Sequence, residues 1–309
     1  MKTSYIIIFL FCFGITFAQE KDFNAQDISI SPLIDGTLLN PTTSEKIPLA
    51  IIIGGSGPID RNGNQMMVKN NSLRFLAEGL YEKGIATYRY DKRIVKQMKD
   101  RSLSEKDIRF NSFIEDAVAV IEYFKNGNEF SGIYIIGHSQ GSLVGMVAAR
   151  DRADGFVSLA GAGQEIDDVI VDQLGKQAPG LKDNAREAFD DLRTKGEAVN
   201  YSPGLASIFR KEIQPFIRSW MLYNPKEELA KLNIPVLIIN GDKDLQVQVS
   251  EAESLHKAKP GASYEIITNM NHILKEIPGN DMENQKSYND HKIPVMPELI
   301  ETISQFIKK

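Results

Sequence analysis

The run Gly132-Ile133-Tyr134-Ile135-Ile136-Gly137-His138-Ser139-Gln140-Gly141-Ser142-Leu143-Val144-Gly145 constrains the fold more than any other part of the chain. A short apolar, β-branched stretch meets a Gly-x-Ser-x-Gly pentapeptide, and the small and apolar residues after it have helical character. The order is strand, sharp turn, helix. A serine hydroxyl is a weak nucleophile unless it is lifted clear of the sheet and set beside a base. So tight a turn predicts Gly137 and Gly141 where a Cβ would collide with the neighbouring strand or helix. It also predicts that the amide of Gln140, in the first helical turn, points a free N–H at the space above Ser139.

The same alternation runs through most of the chain. Ile28 and Ile30 alternate with polar residues and Asp35-Gly36 is a turn signal, which predicts an N-terminal strand pair. Leu49-Ala50-Ile51-Ile52-Ile53 is continuously apolar, as in a strand covered on both faces, and it ends in Gly54-Gly55-Ser56-Gly57-Pro58. A helix over 72–83, stopped by Gly84, and a strand over 85–90 follow. The charged stretch 91–107 is expected to be a surface excursion. Ser112-Phe113-Ile114-Glu115 fits a capping box that opens a helix through Phe124. Strands at 155–160, 234–241 and 264–267, with helices over 249–259 and 297–307, complete the series and imply a parallel sheet flanked by helices. The rhythm breaks over 162–233, where about 70 residues hold no strand-like run; they read as a helical insertion between core segments 19–161 and 234–309.

The first residues resemble an export signal. Lys2 gives a positive start, 5–17 an apolar core and Thr16-Phe17-Ala18 the small residues of a cleavage site after Ala18. The apolar run is short for a membrane anchor, and Cys12 lacks the small residues of a lipidation site before it. Cleavage would remove the single cysteine, leaving a periplasmic or secreted chain stabilised by its core alone. A formal net charge of −5 argues against nucleic acid or an anionic membrane as the main partner. The four histidines show no metal-ligand spacing, and no cofactor is expected.

Three histidines follow Ser139. His256 falls in a polar helix and His291 in a polar loop, and both are expected to be solvated. His272 directly follows the last predicted strand, where a loop returns to the sheet's C-terminal edge, and is the candidate base. The acid is sought in Gly241-Asp242-Lys243-Asp244, at the C-terminal end of a buried strand. Asp242 is expected to cap its own turn, leaving Asp244 to reach the histidine.

Here the chain resembles an α/β-hydrolase of the serine carboxylesterase type. The segments that carry the similarity are Gly54-Gly55-Ser56-Gly57-Pro58-Ile59-Asp60-Arg61, Arg89-Tyr90-Asp91-Lys92-Arg93, Gly137-His138-Ser139-Gln140-Gly141, Leu159-Ala160-Gly161-Ala162-Gly163, Gly241-Asp242-Lys243-Asp244 and Asn271-His272-Ile273-Leu274, in that order. The resemblance implies a second oxyanion donor in the first glycine loop, the amide of Ser56 with Gly55 or Gly57 as alternatives. It implies that 162–233 caps the site and that 89–93 is an ion-paired motif near the oxyanion strand. Ile94 stands where the family often has glycine. The activity implied is cleavage of small-molecule carboxylic esters through Ser139, His272 and Asp244. A peptidase or thioesterase using the same residues, and a non-catalytic binding protein on the same fold, are the rival readings.

Overall fold

The computed structural model describes residues 23–309, so the export signal and Cys12 lie outside the described residues. Two strands open the fold, β1 (Ala25–Ser31) and β2 (Ile34–Leu39), paired antiparallel. After them come β3 (Leu49–Ile53), α1 (Ser72–Glu82), β4 (Ala86–Tyr90), α2 (Arg93–Lys99) and α3 (Phe110–Gly127). Next are β5 (Ile133–His138), α4 (Gln140–Ala149) and β6 (Gly155–Leu159). Five helices then run without a strand: α5 (Ile166–Gln177), α6 (Lys182–Lys195), α7 (Ala206–Phe209), α8 (Gln214–Trp220) and α9 (Pro225–Ala230). The chain closes with β7 (Val236–Gly241), α10 (Val249–Ala258), β8 (Ser263–Ile267), α11 (Asp281–Ser287) and α12 (Pro297–Ile307). All eight strands form one sheet in the order β1-β2-β4-β3-β5-β6-β7-β8, parallel from β4 to β8.

The period-two alternation of side chains explains the layering. In β3, Leu49, Ile51 and Ile53 join the core with α3 and α4, while Ala50 and Ile52 join the core with α1 and α12 on the opposite face. Both faces are covered, which is why β3, β4, β6 and β7 are buried along their whole length. Within the segment inserted between β6 and β7, α5 to α8 share a separate apolar cluster that includes Val171, Phe189, Leu192 and Phe209. Asp167 is buried beside Arg186 (2.6 Å) and Arg193 (2.9 Å), which ties α5 to α6. The last helix of the segment behaves differently: Leu229 of α9, with Leu232 beyond it, packs into the core of the sheet.

Two local expectations fail for physical reasons. Helix α3 starts at Phe110, two residues before Ser112, so the capping box is not used. Its first N–H is satisfied from a distance instead, by Ser219 Oγ at 2.8 Å, and Phe110 stacks on Trp220 with ring centroids 5.3 Å apart. The charged stretch after β4 is not a pure surface excursion either, because Asp91 and Lys92 are both buried. Ile94 lies inside α2, a right-handed helix in which glycine has no advantage.

The end of β7 is held by close backbone contact. A Cβ on Gly241 would stand 1.9 Å from the Met270 carbonyl oxygen, so the loops that carry 242–247 and 269–277 touch without room for a side chain. Gly241→Ala is therefore expected to lower unfolding free energy by about 3 kcal/mol. Urea denaturation of the two proteins side by side measures the loss.

Candidate active site

Ser139 sits between β5 and α4 at φ 54° and ψ −122°, a left-handed conformation that a non-glycine residue holds only under constraint from its surroundings. The constraint is visible on both sides. A Cβ on Gly137 would be 2.3 Å from the Gly141 carbonyl oxygen, and a Cβ on Gly141 would be 2.4 Å from the Ile53 carbonyl oxygen. The Ser139 amide donates to the Leu159 carbonyl at 2.9 Å, which pins the turn to β6. The hydroxyl is thereby presented at the C-terminal edge of the parallel strands.

The candidate acid and base meet there. His272 Nδ1–H donates to Asp244 Oδ2 at 2.8 Å, with both side chains buried. The other oxygen, Asp244 Oδ1, accepts from the amides of Gln246 (2.7 Å) and Val247 (2.8 Å). Asp244 thus closes its own turn as well as holding the imidazole. Asp242 does not cap its own turn: its Oδ1 accepts from the Asn269 amide at 2.6 Å and fastens the neighbouring loop. With Nδ1 committed as a donor, neutral His272 keeps Nε2 as an acceptor. His272 and Ser139 line the same cavity, although no hydrogen bond joins Ser139 Oγ to the ring in this structure. His291 is exposed. His256 is half-buried and stacks on Tyr264 at 5.0 Å between centroids, so it is not simply solvated.

The glycine loop after β3 presses on the nucleophile, for a Cβ on Gly55 would come within 3.1 Å of Ser139 Cβ. Ser56 and Gln140 flank Ser139, and among the described residues neither amide donates to a protein acceptor. Two cavities meet at Ser56, Ser139 and Gln246. One of about 270 Å³ is lined by Leu143, Ile166, Val169, Ile170 and Trp220, mostly from the inserted helices. The other, about 120 Å³, is more polar, with Gln65, Asn70, Ser72 and Tyr288 on its walls. Larger grooves, such as the one of about 780 Å³ beside Met66 and Met98, are open to solvent and lined by neither Ser139 nor His272.

No protein-family model matches the sequence. A curated relative, esterase EstD of Thermotoga maritima, is 28% identical over 275 residues, which is 84% of this chain. The chain spans 62% of that relative's length. Among solved structures, Est1E from Butyrivibrio proteoclasticus superposes with a TM-score of 0.59 at 22% identity, covering 92% of this chain and 99% of that one. The Pyrococcus furiosus esterase PF2001 gives 0.56 at 15% identity, over 93% and 91% of the two chains. A dienelactone hydrolase from Anabaena variabilis gives 0.53 at 16%, over 93% and 97%. The chain has the α/β-hydrolase fold. In hydrolase terms, Ser139 occupies the strand-to-helix elbow, and Asp244 and His272 follow it in the Ser, Asp, His order along the chain.

Two residues around this site, Lys92 and His138, lie in the segments 89–93 and 137–141 that carry the resemblance, which assigns neither a role of its own. Lys92, only 6% exposed, donates from Nζ to the Gly55 carbonyl (2.8 Å) and to Gln140 Oε1 (2.7 Å), and burial pushes its ammonium down to about 7. A charged run hides such a residue, because composition makes every charge in it look solvated. His138 donates from Nε2 to the His272 carbonyl at 2.7 Å, with the two rings 4.9 Å apart. Burial, and then the neighbouring His272, lower its pKa from 6.5 to about 4, so the ring stays neutral.

That shift sets a pH dependence. Between pH 6.5 and 4 the unfolded chain binds a proton at this ring that the folded chain refuses, so the contribution is complete above pH 6.5 and is lost as pH falls toward 4. Its full size is about 3 kcal/mol. His138→Gln is expected to flatten the stability profile in this window, measured by chemical denaturation at a series of pH values; an unchanged slope would refute the assignment.

Proposed function

We propose that the protein is a serine hydrolase that cleaves carboxylic esters of small molecules through an acyl-enzyme intermediate. The observation that carries this reading is the buried Asp244–His272 hydrogen bond opening onto the cavity that also holds the strained Ser139. In the first step His272 Nε2 takes the proton of Ser139 as Oγ attacks the ester carbonyl. Asp244 keeps the imidazole in the required tautomer and stabilises the imidazolium that forms. The amides of Ser56 and Gln140 receive the tetrahedral oxyanion, and His272 returns the proton to the departing alcohol. Water activated by the same ring then releases the acid.

Helices α5 to α8 act as a cap, and the apolar cavity beneath them takes one limb of the ester while the polar cavity takes the other. The similarity to a curated esterase supports ester over amide cleavage. The chain is expected to be exported, with Gln19 as the mature N-terminus, which mass spectrometry of the mature protein checks.

Purified protein should turn over p-nitrophenyl esters of graded acyl length faster than aminoacyl or peptide anilides. Fast anilide turnover with negligible ester turnover would replace the esterase reading by a peptidase one. Ser139→Ala should lose ~10⁴ to 10⁶ in kcat and all labelling by a serine-directed phosphonate, and Asp244→Asn about 10⁴. Equal labelling of wild type and Ser139→Ala would defeat the mechanism. Val169→Phe, which fills the apolar cavity, should shift the preference toward shorter apolar limbs by ~10- to 100-fold in kcat/KM.

A further inference from the structure

Lys92 is an expensive residue to bury, and its surroundings show no compensating carboxylate within ion-pair distance among the described residues. The nearest acid that influences it, Asp116, is already engaged by Arg93 through two bonds of 2.7 Å. The ammonium lies instead over the Phe113 ring, 4.3 Å from its centroid, and directs its hydrogens at Gly55 O and Gln140 Oε1. Those acceptors belong to the two segments expected to bind the oxyanion. An apolar side chain of similar length would fill the space at far smaller cost.

The planarity of the peptide bond turns these contacts into a functional statement. The Gly55 carbonyl and the Ser56 N–H are the two ends of one trans peptide unit and point in opposite directions. A donor that holds the carbonyl from behind therefore fixes the direction of the N–H in front. Gly54 and Gly55 lack side chains to resist rotation of this unit, so the loop needs such a fastening. The charge also polarises the peptide it binds, which makes the distal N–H a stronger donor. At Gln140 the same Nζ holds the side chain of the residue whose amide starts α4.

We infer that Lys92 is a positioning residue of the oxyanion hole, fixing the Gly55–Ser56 peptide and Gln140 so that both amides face the carbonyl oxygen attacked by Ser139. This rests on the serine-hydrolase reading above. Lys92 touches neither the substrate nor the reacting atoms, and its influence passes through the two amides. The step it serves is the development of negative charge on the carbonyl oxygen, so its effect is confined to the tetrahedral species and leaves ground-state binding alone.

The experiment compares wild type with Lys92→Met and Lys92→Gln, using an ester substrate and a matched pair of inhibitors. A trifluoromethyl ketone adds Ser139 and places an oxyanion in the hole, whereas the corresponding secondary alcohol occupies the cavities without forming one. Lys92→Met should lower kcat by ~10² to 10³, the scale of one oxyanion donor, with KM within about twofold. Affinity for the ketone should fall by a similar factor while affinity for the alcohol stays unchanged. Lys92→Gln carries the same readout if the methionine variant is insoluble. Equal weakening of ketone and alcohol would mean a merely structural lysine and would overturn the inference, as would unchanged kcat. A wild-type protein that shows no preference for the ketone would sink the serine-hydrolase reading, and the role of Lys92 with it.

Discussion

The backbone of Gly141 lies against the end of β3 so closely that a Cβ would stand 2.4 Å from the Ile53 carbonyl oxygen and 2.7 Å from that of Gly54. This approach docks the first turn of α4 onto the neighbouring strand and leaves the chain between β5 and α4 too little length to turn by any relaxed route. Ser139 takes up the difference with its positive φ, held there by its amide's bond to β6. The same contact decides where the free amides go. With α4 seated on the end of β3, the Gln140 amide at its start and the Ser56 amide of the glycine loop belong to residues that line one cavity with Ser139, and neither is given to a protein acceptor among the described residues. The strain at the serine and the placing of these free amides in its cavity thus both follow from the close approach of α4 to β3.

Residues whose role follows from local chain chemistry are legible in the amino-acid sequence. The elbow glycines, the strand that precedes Ser139 and the buried strands β3 and β7 follow from short-range pattern, because two-sided burial writes a continuous apolar run. Asp244 and His272 are reachable through their positions just beyond strands, and the fold brings them to 2.8 Å. What the sequence hides depends on partners far along the chain. Ser219 satisfies the first amide of α3 across 109 positions, and no local motif foretells it. Lys92 reaches back 37 positions to Gly55 and forward 48 to Gln140 from within a charged stretch. Asp242 and Asp244 are separable in sequence only by which would cap its own turn, and the two oxygens of Asp244 do both jobs.

The inserted helices have a core of their own, yet they are anchored to the sheet at identifiable points. Trp220 stacks on Phe110, Phe216 meets Phe113 edge-on at 5.9 Å, and buried Glu251 of α10 accepts from the amides of Gly163 and Gln164 where the segment leaves β6. Trp220 therefore serves twice, as an anchor to α3 and as a wall of the apolar cavity. Substitutions at the anchor will couple the seating of the helices to the shape of the cavity, whereas Val169 lines it from α5 and takes no part in these anchoring contacts. Selectivity and stability are separable at the second position and entangled at the first.

In the proposed reaction the transition state carries two new charges, a cation on His272 and an anion on the substrate oxygen. Each has a buried group already in place that carries the opposite sign when ionised. Asp244 lies 2.8 Å from the imidazole, and Lys92 stands one peptide unit behind the Ser56 donor. Such charges cost less to create beside groups already oriented, because the protein has met the cost of orienting them during folding. His138 is the residue that could spoil the balance, since a second imidazolium 4.9 Å from His272 would repel the first. Burial keeps it neutral through the neutral pH range, and its Nε2–H is used to hold the His272 backbone. Burial disfavours the charged form at both groups: it keeps the His138 ring neutral, and it brings the Lys92 ammonium down to about 7, where the charge that Lys92 carries is little screened and acts directly on the Gly55–Ser56 peptide.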